Sequence, residues 1–279
     1  LNKRTVIEPG GKSKNYWKDL WDYRSLFYFL AWRDVLVRYK QTAIGIAWSV
    51  IRPLLTILIM TCIGWLFKIP IPDGVPRFLY VCAAALPWQF FANIFGEASN
   101  SLVSNSNLLT KVYFPRLIIP ISTVIVCLID FFISFGILVI AMVAFRYVPD
   151  WKIILLPLFL ILTLLTGGGL GLLVASINVK YRDFKYVIPF ILQFGVYVSP
   201  IAYSSDSVYN STSIPQFVKL LYSANPMVGV IDGFRWAVLG GNINIYMPGF
   251  LLSIGISIFF LILGIWNFRK TEHSFADII

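Results

Sequence analysis

The chain has 279 residues, 58% of them hydrophobic and only 13% charged, with a mean hydropathy of +0.77. A soluble chain carries roughly a quarter of its residues as Asp, Glu, Lys or Arg, so this composition excludes a soluble globular domain and describes an integral membrane protein. The formal charge of +10 fits cationic loops held at an anionic cytoplasmic face, not a nucleic-acid binder.

Residues 1–15 are polar and basic, with Lys3, Arg4, Lys12 and Lys14, and no apolar signal-peptide core follows directly. Gly11-Lys12-Ser13 resembles the tail of a phosphate-binding loop. The spacing GxxxxGK[ST] would put its first glycine at Val6, with no apolar strand before it. No nucleotide or other cofactor is therefore expected on this chain. Over 16–33 the residues Trp17, Leu20, Trp21, Phe27 and Tyr28 recur near helical spacing among Lys18, Asp19, Asp22, Arg24 and Arg33. That pattern predicts an amphipathic helix lying in the membrane interface.

Six apolar spans follow, near 45–67, 79–98, 117–144, 153–177, 186–203 and 247–268, each long enough for a hydrocarbon core of about 30 Å. The fold class expected is thus an all-α integral membrane protein. Residues 1–44 form its cytoplasmic N-terminus and interface helix, and 45–279 its transmembrane domain. Between the last two spans, 204–246 is too polar for a clean crossing. Its apolar part, 220–239, is broken by Asn225-Pro226, Gly229 and Gly233, which suits re-entrant helices whose backbone is buried in protein. Lys and Arg are concentrated in 1–44, 104–116, 178–185 and the C-terminal residues. The opposite loops hold only Lys68, Arg77, Arg146, Lys152, Lys219 and Arg235. The positive-inside rule puts both termini in the cytoplasm.

Few chemistry-bearing groups stand out. Cys62, Cys82 and Cys127 lie in apolar runs without a CxxC pair, and His273 is the single histidine. Neither a disulfide framework nor a metal site is expected. Arg52, Glu97 and Asp130 are the ionisable groups inside the spans. Such groups face protein or water, and Asp130 is read as a structural partner, with Arg52 the candidate counter-charge. Gly167 and Gly171 share one face of the fourth span, as in small-xxx-small helix packing. Phe190, Phe194 and Tyr197 fall at i, i+4 and i+7 of the fifth span with Gln193 beside them, while Tyr39 and Trp48 stand at the start of the first. Aromatic faces stack on sugar rings and Tyr and Gln bond hydroxyls, so these six are candidates for a glycan path. Finally, 104–120 is a basic, aromatic turn between two spans, suited to docking a soluble partner.

Several stretches together resemble the permease subunits of bacterial ABC exporters for polysaccharides, a family covering O-antigen, teichoic acid and capsule. They are Arg33-Asp34, Arg38-Tyr39-Lys40-Gln41-Thr42 with Gly45 and Trp48, and Lys111-Val112-Tyr113-Phe114-Pro115-Arg116. Lys180-Tyr181-Arg182-Asp183-Phe184, Ser199-Pro200-Ile201 and Asn225-Pro226 with Arg235 complete the set. Arg52 departs from the family pattern, in which an uncharged residue precedes that proline. The resemblance implies a homodimer in the bacterial inner membrane whose channel is lined mainly by the first and fifth spans. It implies two copies of a separate ATPase, carrying ATP and magnesium, docked on Leu109, Lys111, Tyr113, Phe114 and Arg116. The cargo would be a lipid-linked polysaccharide, O-antigen first, and the chain itself would not be an enzyme. A secondary transporter using Asp130, and a drug or lipid exporter of the same superfamily, are the alternatives.

Overall fold

The computed structural model describes residues 16–40, 46–112, 114–181, 183–240, 243, 245–272 and 275. Among them every regular element is helical. The chain begins with α1 (Tyr16–Asp22) and α2 (Arg24–Lys40), then α3 (Ala47–Leu66), α4 (Arg77–Ser104), α5 (Ser106–Lys111) and α6 (Ile118–Ala144). A 3-10 turn over Trp151–Leu155 leads into α7 (Leu156–Lys180), followed by α8 (Phe184–Val198) and the short α9 (Asp206–Tyr209). The last elements are α10 (Gln216–Ser223), α11 (Pro226–Leu239) and α12 (Met247–Thr271). Five helical stretches are long and apolar enough to cross a membrane: α3, α4, α6, the 3-10 turn with α7, and α12. The protein is a multi-pass membrane protein.

The span expected at 186–203 is shorter than the rest. Its helix, α8, has 15 residues, about 22 Å at 1.5 Å per residue. The reason is local: Ser199 precedes Pro200, whose ring pushes the residue before it out of the α region, and Ser199 is extended at φ −89° and ψ 148°. At the first span Arg52 and Pro53 both lie inside a continuous helix. The N-terminal stripe expected over 16–33 is two helices, the second reaching Lys40.

The core is built around α4, α7, α11 and α12. Residues 79–88 of α4 are all buried, and α7 packs along both α4 and α12. Glycines set those two contacts. Gly167 meets Ile94 and the Phe91 carbonyl, and Gly171 meets Ala98, so this face lies on α4. Gly169 points the other way, against the backbone at Phe260 and Leu261 of α12, where Gly264 returns the contact. A Cβ at Gly264 would fall 2.2 Å from the Gly169 carbonyl oxygen. Thr166 and Ser257 join the same seam by a 2.7 Å hydrogen bond.

The stretch at 204–246 resolves into α9, α10 and α11, the last two separated at Asn225-Pro226. The Asn225 side chain accepts from the Met227 amide, and Pro226 occupies the first turn, where a missing N–H is harmless. Gly229 and Gly233 do not break α11: they let Ser253 and the Phe159 ring close on it. Thirteen of its fourteen residues are buried, among them Arg235. That guanidinium donates to the carbonyls of Ile201, Tyr203 and Tyr80 at 2.8, 3.1 and 3.3 Å and lies 3.8 Å from the Tyr80 ring centroid. Asn225 also donates to Ser199 Oγ at 3.0 Å. Two motifs separated in sequence thus shape the turn that ends α8.

Gly264→Ala should destabilise the α7–α12 seam by about 1–3 kcal/mol, as overpacking does. Gly168→Ala, whose Cβ meets nothing within 4 Å, should be neutral. Melting of the two variants in detergent checks this, and equal melting temperatures would contradict it.

Candidate functional site

A cavity of about 680 Å³ opens between α2, α3, α4 and α6, at the end of the bundle where α5 sits. Its wall on α4 is a polar stripe. Gln89, Asn93, Glu97 and Ser101 recur every four residues and Asn105 continues the line. Successive steps of four keep side chains on one helix face. A spanning helix carries such a stripe toward protein or water and not toward lipid. Gln89 donates to the Asn93 carboxamide at 3.0 Å, and Asn105 accepts from Arg33 at 2.8 Å.

Opposite this stripe, α2 brings Arg33, Asp34, Arg38 and Tyr39 into the cavity. Arg38 is central. One guanidinium nitrogen donates to Glu97 at 2.9 Å, and the other lies 2.8 Å from Asp130 Oδ2, an ion contact not aligned as a hydrogen bond. The second Asp130 oxygen accepts from the Tyr39 and Ser49 hydroxyls, both at 2.6 Å. Asp130 is 5% exposed and Glu97 48%, so the first is sealed between helices and the second faces the cavity. Burial opposes the charge on Arg38, but Asp130 and Glu97 outweigh it and raise its pKa. Burial, then hydrogen bonding to Asp130, raises the Tyr39 phenol above its ordinary value.

The Asp130 counter-charge is therefore Arg38, supplied by α2, and not Arg52. Arg52 is exposed, with its guanidinium 5.7 Å from the Trp48 ring centroid at the cavity mouth. Arg33 and Asp34 pair with each other at 2.6 Å. The lining charges are thus three arginines and three carboxylates. Such a balanced, amide-rich wall with Tyr39 and Trp48 presents donors, acceptors and ring faces together, which suits neutral polyhydroxylated groups more than an anion.

Of the other aromatic candidates, Phe190, Phe194 and Tyr197 lie on an exposed face of α8, outside this cavity, with Gln193 exposed beside them. The Phe190 and Phe194 rings are 4.3 Å apart. The opposite face of α8, with Ile188, Leu192, Gly195 and Val196, packs into the core, and Gly195 takes the Trp88 ring. No element of the same chain covers the aromatic stripe among the described residues.

The docking residues divide. Leu109 and Phe114 are buried, 4% and 5% exposed, in a second apolar cluster with Leu30, Leu117, Phe268 and Phe275. As surface anchors they are excluded, because their side chains face inward. Arg116 is half-buried, held by Glu272. Lys111 is exposed, together with Asn107, Thr110 and Val112. Tyr113 lies outside the described residues, as do Gln41, Thr42, Gly45 and Arg182. The four-residue repeat of polar side chains along α4 was available in the sequence, where Glu97 alone drew attention by its charge. Arg38 as the partner of Asp130 has no sequence signal at all.

Comparison with known proteins agrees with this architecture. The family model for the ABC-2 type transporter matches residues 25–239. A protein of Myxococcus xanthus, the O-antigen export system permease protein RfbA, is 26% identical over 219 residues, covering 78% of this chain and 82% of its own length. A Klebsiella pneumoniae protein of the same name is 26% identical over 252 residues, covering 88% of this chain and 92% of its own. The match spans nearly all of α2, the residues lining the cavity and the buried helix α11, and the chain belongs to the ABC-2 type transporter family.

Proposed function

We propose that this chain is the permease of an ABC transporter that exports a lipid-linked polysaccharide, O-antigen, across the bacterial inner membrane. The observation that carries the substrate class is the polar stripe of α4 facing a charge-balanced cavity with Tyr39 and Trp48. The relatives from M. xanthus and K. pneumoniae, both named for O-antigen export, support the same reading. Two copies of the chain enclose the path, with the exposed aromatic face of α8 in each turned toward it. A glycan then slides past amides and ring faces, none of which binds one unit tightly. The energy comes from two ATPase subunits with ATP and magnesium, bound at the face that carries α5. On this reading their contact is the exposed side of 107–112, while Leu109 and Phe114 form the footing beneath.

Several features support the topology. With α8 counted as a short crossing there are six spans, α11 is a re-entrant element buried in protein, and both termini are cytoplasmic. The α1–α2 pair lies in the interface with Trp17, Trp21, Tyr28 and Trp32 exposed. Residue 44 then divides cytoplasmic from membrane positions, although α2 packs directly on α6. Asp130 serves as the anchor of α2 and not as a proton carrier, because its oxygens are engaged by Arg38, Tyr39 and Ser49.

A strain lacking its own O-antigen exporter, supplied with this chain and its ATPase, should display long glycan on its surface. Retention of the glycan inside, with an assembled complex in the membrane, would overturn the substrate. The path is tested by thiols placed after Cys62, Cys82 and Cys127 are replaced. Asn93→Cys and Phe194→Cys should react with a membrane-impermeant reagent and be protected by glycan in transit, whereas Ile140→Cys, on an exposed apolar face of α6, should stay unreactive. A Phe194 thiol as inert as that at 140 would assign the α8 stripe to lipid.

For Asp130→Asn, losing one partner of a buried pair costs about 3–5 kcal/mol. Permease abundance should fall while export per molecule stays indifferent to the proton gradient. Export by the unaltered protein that stops on adding a protonophore at constant ATP would favour the carrier.

A further inference from the structure

The C-terminal end of α12 reaches two elements that are remote from it in sequence. The Glu272 carboxylate accepts from the Tyr16 hydroxyl of α1 at 3.2 Å and from the Arg116 backbone amide at 2.8 Å, on the same oxygen. The Arg116 guanidinium also donates to the Glu272 carbonyl. Around these bonds the Arg269 guanidinium lies 4.6 Å from the Tyr16 ring centroid, and Arg116 lies 5.9 Å from that of Phe275. Phe275 packs edge-on to Phe268 at 5.4 Å, and both are buried beside Leu109 and Phe114.

Electrostatics makes this arrangement directional. Glu272 is the residue that follows the last turn of α12, where the negative end of the helix dipole disfavours a carboxylate. The same carboxylate lies at the entrance to α6, which begins at Ile118. There it accepts an amide just ahead of the first turn, at the favourable, positive end of that helix's dipole. The side chain is therefore held by what it joins, and not by its own helix. Burial first, then the Glu272 charge, raises the Tyr16 phenol above its ordinary value and keeps it a donor.

We infer that Glu272 is a positioning residue that latches α1, the turn at 114–117 and α12 into one unit, so that a displacement delivered to α5 reaches the spanning helices. The role in transport rests on the exporter reading above. The exposed edge of α5 takes the push. The buried pair Leu109 and Phe114 and the Glu272 bonds pass it to the start of α6 and to the end of α12. Without the latch, α5 can move while α12 and α1 stay behind.

The experiment uses the full permease assembled with its ATPase in vesicles containing the lipid-linked glycan. Glu272→Ala should still bind the ATPase and hydrolyse ATP, while glycan exported per ATP falls about ten-fold or more, the size expected for losing hydrogen bonds to a charged group. Glu272→Gln, whose carboxamide oxygen still accepts from Tyr16 and Arg116, should recover most of that ratio. A purely structural role would lower the amount of assembled complex and leave the ratio unchanged, and that result overturns the proposal. Should Glu272→Ala fail to assemble, Tyr16→Phe keeps the ring at Arg269 and removes only the donor. Its ratio should fall by a smaller factor, and an unchanged ratio is equally fatal. The latch itself is read without any glycan, from the distance between spin labels at Lys18→Cys and Thr110→Cys. That distance should be narrow and unmoved by ATP in the otherwise unaltered protein and should broaden in Glu272→Ala. A broad distance in the former defeats the latch, whereas a narrow one in a complex that exports no glycan defeats only the exporter reading.

Discussion

A carboxylate in the middle of an apolar helix has to be neutralised or paired, because hydrocarbon offers it neither water nor counter-ion. Asp130 is that group, and the helices that line the cavity are arranged around its needs. Arg38 and Tyr39 reach it from α2, Ser49 reaches it from α3, and Arg38 turns its other nitrogen to Glu97 of α4. One acid thereby fixes the position of four helices. The cavity is the space left where these polar groups hold the helices apart, and the same groups furnish its walls. Stability and the candidate site come from one set of contacts.

The opposite end solves a similar problem with backbone in place of side-chain acids. Arg235 is fully buried in α11, yet its donors meet the carbonyls of Ile201, Tyr203 and Tyr80. The Ile201 and Tyr203 carbonyls belong to a chain leaving α8, where acceptors have lost their intrahelical partners, whereas the Tyr80 carbonyl lies in the first turn of α4. A charge that would be costly alone becomes the closing contact for an irregular turn. The helix that carries it can then be polar in places, because it is surrounded by protein and not by lipid. Between these two ends the α4–α7–α12 stack contributes little electrostatics and depends on close approach through Gly167, Gly169, Gly171 and Gly264.

Together these arrangements leave two kinds of surface. The aromatic face of α8 and much of α3 are apolar and uncovered within one chain. The exposed side of 107–112 is polar and stands on a rigid footing of Leu109, Phe114 and Phe268. In the proposed exporter of two permeases and two ATPases, the first would line the path between the two copies and the second would meet the ATPase. The distinction between footing and contact changes how the basic, aromatic turn is understood. Phe114 belongs to the buried footing, and Thr110 and Lys111 to the exposed side.

Much of this architecture follows from composition and periodicity. Long apolar runs specify membrane crossing whatever their neighbours are, so α3, α4, α6, α7 and α12 were legible with their approximate ends. Asn225-Pro226 marked a break in the apolar run 220–239, and the motifs around Arg38, Phe114, Pro200 and Arg235 carried the family. Tertiary structure decided what periodicity cannot encode. It decided that Phe114 points inward, because the sign of an aromatic's exposure depends on what packs over it. It paired Asp130 with Arg38 of α2 and turned Arg52 of α3 to Trp48, because which guanidinium reaches an acid depends on how the helices pack. It brought Glu272 to Tyr16 and Arg116, contacts 256 and 156 residues apart that no local spacing can announce. Burial against lipid is a one-body property and is written residue by residue, whereas pairing is a two-body property that exists only once the helices are assembled.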